Sequence, residues 1–166
     1  PARVEILTSR YADQGEGTFM AVVTPGEDLE EITEGTDWMF VLDISGSMRG
    51  EKLRVLRRGA CDAIRQLRPE DRFQVLLFDD QQLPLSRHWI SPGSPEARAV
   101  LGQVESMKAR GGTNLFTALD AAYERLDADR PSAIILVSDG VANTGPHEYR
   151  DFIEMARAHD GRLFTF

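Results

Sequence analysis

Three oxygen-bearing side chains follow one short apolar segment, and their spacing is that of a ligand set. Residues 38–42 are uninterrupted apolar residues, and Asp43, Ser45 and Ser47 come directly after them, with Gly46 between the two serines. One carboxylate and two hydroxyls are hard oxygen ligands, which suit Mg²⁺ or Mn²⁺ far better than zinc. The sequence therefore predicts a site for a hard cation where this segment ends.

The elements on either side of the oxygen cluster place it at a sheet edge. Residues 38–42 have the length and continuous apolar character of a strand buried on both faces, as in a parallel sheet. Residues 51–67 carry apolar side chains at helical spacing, so the cluster lies between a strand end and a helix start. In open α/β sheets, ligands bind outside the carboxyl ends of the strands.

Two later loops also contain side-chain oxygens that could bind a hard cation. Residues 132–137 form another apolar segment that is followed by Asp139, and Thr113 follows the paired glycines 111–112 just before a predicted helix. If the segments 38–42 and 132–137 are neighbouring parallel strands, the aspartates after them emerge side by side, and such carboxylates repel unless a cation lies between them. The predicted metal ligands are Asp43, Ser45, Ser47, Thr113 and Asp139.

Strands and helices alternate along most of the chain. The predicted strands are residues 4–7, 18–24, 38–42, 72–78, 83–90, 132–137 and 162–166, and the predicted helices are residues 51–67, 96–108, 115–126 and 148–158. This order predicts an α/β fold with a doubly wound, mostly parallel sheet and helices on both faces. The short connection before residues 83–90 predicts one antiparallel strand at a sheet edge.

Composition excludes several classes of function. The 166 residues are 42% hydrophobic and 28% charged, as expected of a globular chain, and the net charge of −8 argues against nucleic acid as a partner. The single cysteine, Cys61, excludes an intrachain disulfide framework and is predicted to be a buried, apolar side chain. No apolar run reaches the roughly 20 residues of a membrane span, so we predict no direct membrane insertion of this segment.

The five predicted ligands resemble a known site. Asp43-x-Ser45-x-Ser47, with Thr113 and Asp139 on later loops, is similar to the metal-ion-dependent adhesion site of von Willebrand factor type A (VWA) domains. The resemblance implies that the serines, and often the threonine, bind Mg²⁺ or Mn²⁺ directly. It also implies that the aspartates complete the site directly or through water, and that a Glu or Asp of a protein partner supplies the last oxygen.

The resemblance also implies a domain organisation. It covers about residues 36–166, which would form a VWA domain truncated before its last strand and helix, and residues 1–35 would be an N-terminal extension with one or two strands. The flanks Glu51-Lys52-Leu53 and 111–115 resemble bacterial members, including those linked to an inter-alpha-trypsin-inhibitor (VIT) type domain. By analogy with such proteins, we expect an exported parent protein that is periplasmic, at the cell surface or membrane-anchored.

These observations favour a non-enzymatic, metal-dependent protein-binding module over other classes. A metal-stabilised structural domain is the first alternative. A phosphatase-like hydrolase with Asp43 as nucleophile is the second, but such enzymes need a second aspartate at the position of Ser45. A nucleotide or flavin site is disfavoured because Asp43 would repel a phosphate and no glycine-rich phosphate-binding motif is present.

The remaining polar residues have simpler interpretations. Asp79 and Asp80 follow a predicted strand and are expected to form a solvated turn. The arginines of the predicted helix 51–67 are expected to be its solvated face, and the three histidines lack ligand spacing and are expected at the surface. These residues are Arg54, Arg57, Arg58 and Arg65, and His88, His147 and His159.

Overall fold

The computed structural model describes residues 3–10, 17–24, 34–140, 144–146, 148–159 and 161–166. The chain divides into two compact units, Pro1–Ile32 and Thr33–Phe166. In the first unit, strands β1 (Arg3–Arg10) and β2 (Gly17–Thr24) pair antiparallel along their whole length.

The described residues of the second unit form a sheet of five strands with four helices. Its elements are β3 (Asp37–Asp43), a 3-10 turn (Gly46–Met48), α1 (Glu51–Arg65), β4 (Arg72–Phe78), β5 (Gln82–Pro84), α2 (Pro95–Ser106), α3 (Leu115–Tyr123), β6 (Ser132–Val137), α4 (Tyr149–Arg157) and β7 (Arg162–Thr165). The strand order is β5-β4-β3-β6-β7. Of the strands that the structure describes in this sheet, only β5 runs antiparallel to its neighbour, and it lies at a sheet edge. The predicted fold class is therefore confirmed.

The central strand β3 contributes to two hydrophobic cores, one on each face of the sheet. Phe40 and Leu42 pack with α1 and α2, whereas Met39 and Val41 pack with α3 and α4. Because alternate side chains of a strand point to opposite faces, an unbroken apolar run is what a sheet covered on both sides requires. Burial of each such side chain contributes about 1.5–3 kcal/mol, and this fixes the position of Asp43 at the end of the strand.

Polar side chains cap the amino termini of helices α2 and α3. The Ser94 hydroxyl accepts the Ala97 N–H at 3.0 Å, and Pro95 occupies the first helical position. The Asn114 side chain accepts the Thr117 N–H at 3.3 Å and starts α3 directly after Thr113.

Several element bounds differ from the sequence prediction. The predicted edge strand 83–90 is reduced to β5 and a single bridge between Ile90 and Phe73, because Ser86 donates to the carbonyl of His88 and bends the chain between them. Helix α3 ends before Leu126, whose N–H bonds to the Tyr123 carbonyl three residues back. Among the described helices, none is long and apolar enough to cross a membrane.

Candidate metal site

The two aspartates of the predicted ligand set follow neighbouring parallel strands. Asp43 is the last residue of β3, and β3 pairs with β6 so that Leu42 lies opposite Val137. Asp139 lies two residues beyond Val137, in the loop after β6. The two carboxylates therefore emerge at the same edge of the sheet, as the sequence pattern predicted.

The Asp43 carboxylate is held in place on both oxygens. Its side chain is 0% exposed. Its Oδ1 accepts the Ser45 N–H at 2.7 Å, and its Oδ2 accepts the Ser138 hydroxyl at 2.5 Å. A buried carboxylate needs such partners because burial without them carries a large desolvation cost. These bonds orient Asp43 toward the loop that carries the two serines.

A chain of close oxygens joins the two serines to Asp139. Ser45 Oγ and Ser47 Oγ lie 3.0 Å apart, and Ser47 Oγ donates to Asp139 Oδ1 at 2.8 Å. The Lys52 ammonium contacts the other oxygen, Asp139 Oδ2. The hydrogen bond from Lys52, aided by the one from Ser47, holds the pKa of Asp139 below its usual value, although partial burial acts in the opposite direction.

Thr113 is carried to the site by a loop that backbone hydrogen bonds fix to the sheet. Arg110 N–H donates to the Ile44 carbonyl at 2.7 Å, and Gly46 N–H donates to the Gly111 carbonyl at 3.1 Å. Thr113 is buried, and a β-carbon built on Gly140 would lie 3.6 Å from both Thr113 Oγ1 and Asp43 Oδ2. The side-chain oxygens of Thr113 and Asp43 therefore both lie next to Gly140.

Gly111 is needed where this loop passes over the end of β4. Its φ is +66°, and an added β-carbon would lie 2.8 Å from Asp80 Oδ2 and 3.1 Å from Asp79 Cβ. Residues with a side chain rarely adopt this conformation. The glycine therefore allows the loop to approach β4 closely.

Asp79 is not part of a solvated turn, and the prediction for it was wrong. It is 5% exposed, its Oδ2 accepts Arg110 Nε–H at 2.6 Å, and its Oδ1 accepts Gln81 N–H at 2.8 Å. Its own carbonyl accepts the Asn114 N–H at 2.8 Å. The loop that carries Arg110 covers Asp79, and this contact between distant segments is why the sequence pattern did not reveal it. Asp80 is exposed, as predicted.

The other predicted surface groups are mostly where expected. Arg65 pairs with Glu105 at 2.8 Å on the exposed face of α1. Arg57 does not lie on the solvated face as predicted, because it is half-buried and donates to the Met107 carbonyl. Cys61 is buried, and burial raises the pKa of its thiol. Three further pairs are formed at the surface: Arg54 with Glu51, Arg58 with Asp62 and His88 with Glu96. His159 stacks on Tyr123. His147 lies outside the described residues.

The donor set fits a small hard cation. Cis ligands of an octahedral Mg²⁺ ion, with bonds of 2.0–2.1 Å, are about 2.9 Å apart. The hydrogen-bonded oxygen pairs Ser45–Ser47 and Ser47–Asp139, at 3.0 and 2.8 Å, are compatible with this spacing. Over the described part of the chain, no three His, Cys, Asp or Glu side chains come together as a metal cluster. The predicted ligand set combines two carboxylates with hydroxyls, and such a set disfavours zinc.

Comparison with known proteins identifies the family. The family model of the von Willebrand factor type A domain matches residues 38–141, which include all five predicted ligands. The chain belongs to this family. Human inter-alpha-trypsin inhibitor heavy chain H2 is 32% identical to this chain over 138 residues. The match covers 78% of the chain but only 14% of the length of heavy chain H2.

Solved structures share the VWA fold at lower identity. A von Willebrand factor type A protein from Catenulispora acidiphila is 16% identical with a TM-score of 0.72, and the match covers 99% of the VWA chain and 39% of that protein. The vWF domain of the type V pili tip protein Mfa5 from Porphyromonas gingivalis is 21% identical with a TM-score of 0.57, over 67% of the VWA chain and 40% of that chain. VWA domains typically act in protein interaction or adhesion.

Proposed function

We propose that this VWA domain binds Mg²⁺ or Mn²⁺ and uses the ion to bind an acidic side chain of a partner protein. The observation that carries the proposal is the convergence of oxygens from three loops. Ser47 lies within hydrogen-bond distance of both Ser45 and Asp139, and the buried carboxylate of Asp43 faces the same loop. The residues that would hold the ion are Asp43, Ser45, Ser47, Thr113 and Asp139.

The charges of the site favour an anionic partner group. When water lies between the ion and either aspartate, the directly bound ligands carry at most one negative charge, and the inner coordination shell of the divalent ion keeps a positive charge. A bound ion of this kind supplies a Lewis-acidic position that a Glu or Asp side chain can take. Lys52 adds a further positive charge at the rim, beside Asp139.

The relatives support an interaction role in an exported protein. The similar domain of Mfa5 belongs to a pilus tip protein, and the inter-alpha-trypsin inhibitor heavy chains share detectable sequence identity over most of this chain. We propose that the parent protein is exported and that it is periplasmic, at the cell surface or membrane-anchored.

We also propose that the site has no catalytic activity. Both oxygens of Asp43 are engaged, by Ser45 N–H and the Ser138 hydroxyl, and the side chain is fully buried, which disfavours attack on a phosphoester. A phosphatase-like hydrolase would hydrolyse generic phosphoesters, and the variant Asp43→Asn would lose that activity. Phosphatase turnover above background that disappears in this variant would overturn the proposal.

Metal binding is tested by thermal unfolding with and without Mg²⁺ or Mn²⁺. An ion that binds only the folded state stabilises it by about 2.7 kcal/mol at a hundredfold excess over Kd. We expect several millimolar ion to raise the Tm of the wild type and to leave the Tm of Asp43→Ala unchanged. No rise in the wild type at these concentrations would refute metal binding.

Partner binding is tested separately by a pull-down in Mg²⁺ and in EDTA. We expect a partner that is retained in Mg²⁺ and released by EDTA, and that is lost when its own acidic residue is replaced by alanine. A domain that is stabilised by the ion but retains the same proteins in both buffers would instead be a metal-stabilised structural domain.

A further inference from the structure

Lys52 makes an ion pair with one of the proposed ligands. It is the second residue of α1, and its ammonium contacts Asp139 Oδ2 across a separation of 87 residues. The other oxygen of the same carboxylate accepts the Ser47 hydroxyl at 2.8 Å. Asp139 is therefore shared between a predicted metal ligand on one side and a protein cation on the other.

The electrostatics of helix α1 do not account for a lysine at this position. The amino terminus of a helix carries partial positive charge, so acidic side chains are favoured in the first turn and basic ones are disfavoured. Glu51 is the acidic residue of the first turn, and it pairs with Arg54. The charge of Lys52 is balanced by Asp139, from a different part of the chain.

The other basic residues of α1 have partners away from the site. Arg54 pairs with Glu51, Arg58 lies 3.8 Å from Asp62 on the same helix, and Arg65 pairs with Glu105 on α2. Arg57 donates to the carbonyl of Met107. Lys52 is therefore distinguished on this helix by the position of its carboxylate partner in the predicted ligand set.

We propose that Lys52 is a tethered cation that competes with the divalent ion for Asp139. This inference rests on the proposed function. When no ion is bound, the ammonium neutralises Asp139 and stabilises the empty site. A divalent ion that uses Asp139 must share the carboxylate with Lys52 or displace it, and the two positive charges repel each other. Because the Lys52 side chain is 57% exposed, it can move into water when the ion enters.

Two consequences follow for binding and stability. Lys52 lowers the affinity for the ion, and it reduces the difference in stability between the ion-free and ion-bound domain. Exposed ion pairs contribute modestly, so we expect Lys52 to weaken ion binding by about two- to fivefold. The effect is electrostatic between partly exposed groups, so it decreases as ionic strength rises.

The experiment is calorimetric titration of Mn²⁺ and Mg²⁺ into four forms of the whole chain, with the Tm of each form measured without ion. The forms are the wild type, Lys52→Met, Lys52→Arg and Arg58→Met. Arg58→Met is the matched control because it also removes one positive charge from the exposed face of α1. We expect Lys52→Met to bind about two- to fivefold more tightly than the other three forms. We also expect it to have the lowest Tm without ion.

The outcomes separate this inference from the proposed function. Equal ion affinities for Lys52→Met and Arg58→Met, or weaker binding by Lys52→Met, would overturn the role of Lys52 while metal binding stands. Absence of binding by both the wild type and Lys52→Met would overturn the proposed function and this inference together. Binding by Lys52→Met alone would support the inference, since the lysine would then exclude the ion.

Discussion

The hydroxyl of Ser47 donates to Asp139 Oδ1 at 2.8 Å and joins two residues that are 92 positions apart in the chain. Ser47 lies in the 3-10 turn after β3, and Asp139 lies in the loop after β6. The two loops meet because β3 and β6 are neighbouring parallel strands. The candidate site is therefore assembled by the sheet, and its geometry depends on the packing of both cores.

Replacement of Ser47 by alanine should separate ion binding from folding. Ser47 is exposed, and its hydroxyl bonds to Ser45 and Asp139 at the site. We expect Ser47→Ala to change the free energy of unfolding without ion by no more than about 0.5 kcal/mol. We expect the same variant to lose most of the rise in Tm that Mn²⁺ causes in the wild type.

Ser106→Ala is the matched control for this measurement. Ser106 is an exposed hydroxyl at the end of α2, where it bonds to the carbonyl of Gln103. We expect its response to Mn²⁺ to equal that of the wild type. A full Mn²⁺ response in Ser47→Ala would contradict the assignment of Ser47 as a ligand.

Gly111→Ala should destabilise the domain. The glycine has φ of +66°, and the new methyl group would meet Asp80 Oδ2 at 2.8 Å and Asp79 Cβ at 3.1 Å. The backbone conformation alone costs a non-glycine residue about 1–2 kcal/mol. We therefore expect a loss of at least about 1 kcal/mol in chemical denaturation, together with weaker ion binding because Thr113 follows on the same loop.

The same substitution at a second glycine, Gly102→Ala, should stabilise the domain. Gly102 lies inside α2, and nothing lies within 4 Å of a β-carbon built on it. Alanine is favoured over glycine in a helix interior by about 0.5–1 kcal/mol, so this variant should be more stable than the wild type. Equal effects of the two substitutions would show that the loop can relax around Gly111.

The sequence predicted the parts of the fold and site that depend on local patterns. The apolar run before Asp43 identified the central strand because both faces of a parallel sheet are buried, and Asp43 and Asp139 were placed at one edge by the rule for parallel neighbours. Thr113 was included because it follows paired glycines at a helix start.

The sequence did not predict features that depend on contacts between distant segments. Asp79 and Asp80 are identical in type and adjacent, yet Asp79 is buried under the loop of Arg110 and Asp80 is exposed. Nothing local to the pair distinguishes them. Likewise, the contact between Lys52 and Asp139 depends on where α1 starts relative to the loop after β6, which no spacing in the sequence specifies.

The ion pair between Asp79 and Arg110 should stabilise the loop that carries Thr113. Arg110 Nε–H donates to Asp79 Oδ2 at 2.6 Å, and the Asp79 side chain is almost fully buried. Removing one partner of a buried hydrogen bond costs about 1–3 kcal/mol. We expect Asp79→Asn and Arg110→Met each to lower the free energy of unfolding and each to weaken ion binding.

A double-mutant cycle tests whether these two effects share one cause. Residues in direct contact show coupling energies of about 0.5–3 kcal/mol, so the double variant should lose less stability than the sum of the two single variants. Strict additivity would show that Asp79 and Arg110 act independently and that the pair does not anchor the loop.

Asp71 should make the stability of the domain depend on pH in the acidic range. Burial raises the pKa of Asp71, but hydrogen bonds from Thr36 N–H at 2.9 Å, and from the backbone and side chain of Arg68, outweigh burial. The net pKa in the folded protein therefore lies below its usual value. The folded state therefore stabilises the charged form of the Asp71 carboxylate more than the unfolded state does.

The sign of the effect follows from this shift. A carboxyl whose pKa is lowered by folding contributes stability above its unfolded pKa of about 3.9. That contribution is lost as the pH falls through the lower pKa of the folded state. We expect the difference in free energy of unfolding between the wild type and Asp71→Asn to be largest near pH 6–7, and to shrink below about pH 4. Urea denaturation at several pH values measures this difference, and a difference that stays constant from pH 7 to pH 3 would mean that the charge of Asp71 does not contribute to stability.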